Sequence, residues 1–63
     1  MKLITLHDLN NPSQEIGIDA DDFSLAVPFG SGSSVRVKSS DQPIAVHESP
    51  ERVLEIVRDA EGA

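Results

Sequence analysis

The chain has 63 residues, eleven Asp and Glu against five Lys and Arg, a net charge of −6, and no cysteine. A core built from about 60 residues buries only about 60% of the surface that the unfolded chain exposes, and with no thiol neither disulfides nor thiolate metal sites can make up the shortfall. Excess carboxylate repels phosphate backbones, and the only aromatic residues, Phe23 and Phe29, provide no platform for stacking bases or sugars. Lys2 precedes no apolar region long enough for export, and no run approaches the ~20 apolar residues of a membrane span. These features predict one soluble domain, residues 1–63, in the cytoplasm, stabilised by a compact sheet or by self-association.

Met1 to Leu9 opens as a strand, with Ile4 and Leu6 on the core face and Leu3, Thr5 and His7 on the other. Asn10-Asn11-Pro12-Ser13 is turn chemistry, because Asn tolerates left-handed backbone and Pro presets φ. Gln14 to Ala20 alternates again through Ile16, Ile18 and Ala20, so the two runs predict a hairpin. Asp19-Ala20-Asp21-Asp22 breaks the pattern as a short turn or a single helical turn. Phe23, Leu25 and Val27 then alternate along a third strand, which is expected to end at Pro28. Gly30-Ser31-Gly32-Ser33-Ser34 reads as a flexible connection. From Ser34 to Lys38, Val35 and Val37 turn inward and Arg36 and Lys38 outward. After a turn at Ser39–Gln42, Pro43 to His47 forms a last strand with Ile44 and Val46 on one face.

A helix follows from Pro50 to about Ala60. Ser49 stands at the N-cap, Pro50 at the first helical position and Glu51 in the first turn. The hydroxyl accepts from an orphan N–H, proline has no N–H to leave unpaired, and the carboxylate faces the positive end of the helix dipole. Val53, Leu54, Val57 and Ala60 form the apolar stripe with Ile56 at its edge, and Glu55 and Arg58 are spaced to pair. Glu61-Gly62-Ala63 is expected to fray. The fold class is α+β: a small antiparallel β-meander of four to five strands followed by one C-terminal helix.

Ile4-Thr5-Leu6 with Leu9-Asn10 at the start, and Val46-His47-Glu48-Ser49-Pro50-Glu51-Arg52-Val53 with Ile56 at the end, follow the pattern "ITL…LN" and "V.ES.E.V…I". In these residues and in its element order the chain resembles the small FlbD-like proteins found beside flagellar genes and related phage and prophage proteins. It departs from them where Asp19-Ala20-Asp21-Asp22 replaces an Asn-Pro-Asp segment and where Gly30-Ser31-Gly32-Ser33 replaces an Asn-Gly hairpin. The resemblance implies a small cytoplasmic accessory protein that is not an enzyme, with no catalytic residue to carry over.

Other chemistries find no support. The Gly30–Ser34 run is followed by a strand with no Lys in register, whereas a phosphate loop needs a helix N-terminus behind it. Counted from Asp19, the sixth and twelfth positions of a calcium loop are Ser24 and Gly30, where Gly and Glu are required. His7 and His47, even with Asp8 or Glu48, fall short of a structural metal site. The loop serines lack a base and an orienting acid held in a pocket. No cofactor, metal, nucleic acid, membrane or small-molecule substrate is therefore expected.

The expected function is a non-enzymatic protein–protein interaction or accessory module that forms a homo-oligomer. One helix covers one sheet face, Leu3 remains outside it, and Lys2, Arg36 and Lys38 guard the strand edges only lightly. The alternative is an acidic, phage-encoded inhibitor that fits Asp19, Asp21 and Asp22 into a basic site on a host protein.

Overall fold

The computed structural model describes residues 2–62; Met1 of the expected first strand and Ala63 of the expected tail lie outside the described residues. The elements are β1 (Leu3–His7), β2 (Glu15–Asp19), the 3-10 turn η1 (Ala20–Asp22), β3 (Phe23–Phe29), β4 (Gly32–Val37), β5 (Ile44–Val46) and α1 (Pro50–Gly62). This is the small α+β arrangement of antiparallel strands and one C-terminal helix. The meander is divided, however, into a β1–β2 hairpin and a three-stranded sheet ordered β3-β4-β5.

The two sheets are stitched where β1 ends. Asp8 bridges to Val46, Leu9 N–H donates to Ala45 O at 3.3 Å, and His47 N–H donates to His7 O at 2.7 Å. β5 is thus bonded along both edges, and the free edges belong to β2 and β3. Arg36 and Lys38, expected to guard an edge, instead lie on and just after the central strand β4.

Alternation sets the core on the unbulged strands. Ile4 pairs with Ile18 and Leu6 with Ile16, which turns those four side chains to one face. Val35, Val37 and Val46 of the other sheet meet them, and Val53 and Val57 of α1 close the layer. Ile56 and Ala60 pack against this core, while Leu54 is exposed. The helical period explains the correction: at about 100° per residue, Ile56, Val57 and Ala60 flank Val53 closely, and Leu54 stands a quarter turn away.

Ser49 Oγ accepts from Arg52 N–H at 3.2 Å, and Ser49 O accepts from Val53 N–H at 2.9 Å. A cap of this kind contributes about 0.5–2 kcal/mol. At the other end Lys2 Nζ donates to Glu61 O at 3.0 Å, placing a cation at the negative pole of the helix. Glu61 and Gly62 are helical rather than frayed. The expected Glu55–Arg58 pair does not form, because Glu55 pairs with Arg52 one turn earlier. α1 is not long and apolar enough to cross a membrane.

The Gly-Ser run is no flexible connection. Phe29 pairs with Gly32, so Gly30 and Ser31 alone form the loop and Gly32, Ser33 and Ser34 belong to β4. Gly30 has φ +58° and no described non-glycine residue has positive φ, which fits the II′ hairpin with glycine at its first loop position.

Candidate functional site

One extra residue in β3 decides which side chains the protein presents. Phe23 pairs with Val37 but Leu25 pairs with Arg36, so Ser24 is bulged out of the ladder. A side-chain period of two turns a one-residue shift into a change of face. Phe23 therefore packs on the core, whereas Leu25, Val27 and Phe29, opposite Arg36, Ser34 and Gly32, point away from it. Their residues remain 43%, 45% and 54% exposed. Ala26, opposite buried Val35, takes the inner face.

The strand also runs past Pro28 to Phe29. Counted from the closing Phe29–Gly32 pair of a two-residue hairpin, Pro28 occupies a position whose N–H would face the open edge, so the ladder loses no donor there. The outcome is an apolar stripe on the outer face of an edge strand that contains no charged residue. The continuing alternation Phe23, Leu25, Val27, Phe29 was the one signal in the sequence that this strand outlasts its proline.

The acidic turn is largely occupied with its own backbone. Asp19 Oδ1 accepts from Asp21 N–H at 3.0 Å and from Lys2 N–H at 3.1 Å, capping η1. The Lys2 N–H first, and the Asp21 N–H second, hold its carboxyl below the usual carboxylate value. Asp22 Oδ1 accepts from Ser39 N–H at 3.1 Å, and its backbone oxygen accepts from Lys38 N–H at 2.8 Å. Asp21 alone presents its carboxylate at an exposed position, its backbone oxygen meeting Lys38 Nζ at 3.4 Å. Asp19 and Asp22 thus tie the residue before β1 and the residues after β4 to the turn, whereas Ser49, Pro50 and Glu51 start α1.

The most developed polar constellation is one that sequence spacing does not reveal. Glu48 Oε2 lies 2.6 Å from His7 Nδ1, and Oε1 accepts from His7 N–H at 3.0 Å. An ionised carboxylate only accepts, so Nδ1 is the donor. Glu48 O in turn accepts from the hydroxyl of Ser33, which is fully buried. One residue therefore fastens β1, β4 and the approach to α1. Partial burial pushes the Glu48 carboxyl up, but the His7 ring bond, the His7 N–H and its own N–H together bring it below its ordinary value.

The sign of the pH dependence follows. A carboxyl lowered by folding contributes stability that is fully present above its unfolded value and lost as pH falls through the folded one. Glu48→Gln should therefore lower the urea midpoint at neutral pH, with the gap to the parent closing as pH drops through the carboxylate range. A gap of constant size across a urea series from neutral to acid pH would contradict this account.

Among the described residues no three His, Asp or Glu side chains converge as metal ligands, and no pocket opens. His7 is engaged by Glu48, and His47 is exposed. Compared with protein-family models, with curated proteins and with solved structures, the chain matches none.

Proposed function

We propose that the protein is a small cytoplasmic interaction module, not an enzyme, which works by contact with protein chains and associates with its own copies, in the accessory manner of FlbD-like proteins. The observation that carries this reading is the outer stripe Leu25, Val27 and Phe29 on an uncharged, free-edged strand. Three large apolar side chains in a row on a chain this small form the kind of contiguous patch that marks an interaction surface. The acidic-inhibitor reading has less to draw on, since two carboxylates of its turn already accept internal hydrogen bonds.

Light scattering should show a mass above that of the 6.8 kDa chain at micromolar concentration, falling towards it on dilution. Refractive-index detection is required, because the chain has neither Trp nor Tyr. A monomer mass across the whole dilution series would overturn self-association.

A further inference from the structure

Five surfaces are available for contact between copies: the free edge of β2, the free edge of β3, the outer face of β3, and the separate exposed side chains of Leu3 and of Leu54. Charge separates them. Every copy carries −6, so two copies approach favourably only where carboxylates do not stack. The β2 edge carries Glu15 and Asp19, and Leu54 lies among Glu51, Arg52, Glu55 and Arg58. Leu3 is isolated, opposite Asp19. β3 alone combines large exposed apolar side chains with no charge.

Edge pairing of β3 is blunted by two features. Pro28 brings no N–H to the open edge, and the bulge at Ser24 distorts it; both are devices by which natural strands resist edge-to-edge association. The face remains. We infer that two copies pack outer face to outer face across a two-fold axis through Val27. This rests on the self-association reading above and names its geometry.

The stripe is its own complement under that operation. Leu25 and Phe29 each lie two residues from Val27, so when the strands run antiparallel Leu25 of one copy meets Phe29 of the other. The one charge on β4 beside the stripe, Arg36, stands opposite Leu25 and so arrives against the Phe29 ring of the second copy. Its Nη2 already donates to Asp41 O at 3.0 Å, which steadies the guanidinium for a cation–π contact. Like charges stay apart, since the two Arg36 side chains lie at opposite ends of the interface. Sheets packed in this way sit about 10 Å apart. Three side chains and their flanks cover less than the ~800 Å² per partner of a standard interface, so the contact belongs with the weak, transient associations.

Sedimentation velocity on the full chain, with far-UV circular dichroism as the folding control, tests this. Val27→Lys is expected to raise the dimer dissociation constant about thirtyfold or more, as for a central contact, while the fold and melting temperature persist. Leu3→Lys should leave the constant within about twofold, since it lies outside the contact. Arg36→Gln and Phe29→Leu should each weaken association severalfold, and the double variant should be no weaker than their product predicts. Should Val27→Lys lose its β signal, Phe29→Lys at the end of the strand carries the same expectation. Folded Val27→Lys with unchanged association, or a parent assembly larger than a dimer, overturns the two-fold face contact and leaves self-association standing. A parent that is monomeric throughout overturns both.

Discussion

Replacing Gly32 by alanine is expected to cost about 3 kcal/mol or more, the upper range of overpacking substitutions. A Cβ at this position would lie 2.0 Å from Val46 O and 3.0 Å from the His47 backbone carbon and oxygen. These are main-chain atoms and have no rotamer to yield. Nor can β5 step aside: Ser33 pairs with Val46 on one edge, and Leu9 and His47 hydrogen-bond between β1 and β5 on the other. At roughly 0.05–0.15 kcal/mol per residue, a chain of this length has only about 3–9 kcal/mol in total, so Gly32→Ala should lose at least about a third of its stability. Gly30→Ala is the comparison. Gly30 has positive φ but no atom within 4 Å of the added Cβ, so only the backbone penalty of about 1–2 kcal/mol applies. Thermal melts followed by circular dichroism should rank the parent above Gly30→Ala and Gly30→Ala above Gly32→Ala. The reverse order for the two glycines would remove the close strand crossing from the account of the fold.

Much of the fold was legible because most strands keep their alternation from end to end. Ile4, Leu6, Ile18, Val35, Val37 and Val46 are all buried where a period of two places them, and β1–β2 pair as a hairpin. The start of the helix was equally legible, since Ser49 and Pro50 are local signals. The facing of β3 is set instead by relations between strands. Phe23-Leu25-Val27-Phe29 alternates without a break, and nothing in that string announces that Ser24 will be squeezed out. The bulge is set by its neighbours: Phe23 must stay opposite Val37 beside η1, while Phe29 must close a two-residue hairpin with Gly32. Those two constraints differ in length by one residue. The outer apolar stripe was therefore invisible for the same reason that the core was visible, since parity fixes a face only until a bulge resets it. The His7–Glu48 pair was hidden differently. Its members are 41 positions apart, and only the crossing of β1 with the end of β5 brings them together.

Leu6→Ala is the second large effect, expected at about 2–5 kcal/mol, the usual cost of emptying a buried leucine site. Leu6 has no exposed surface, faces Ile16 across the hairpin, and belongs to the cluster in which Val35, Val46 and Val53 of three other elements meet. The cavity has little prospect of closing, because its walls are strands bonded on both sides and a capped helix. Leu3 provides a control within the same strand. It is 67% exposed, so Leu3→Ala should shift stability by no more than about 0.5 kcal/mol. Chemically the two substitutions are identical; they differ only in the parity of their positions. Urea midpoints measured under dilute conditions therefore read the register of β1 directly. A larger loss at Leu3 than at Leu6 would mean that the strand has slipped by one residue, which would also detach His7 from Glu48 and break the bridge that joins the two sheets.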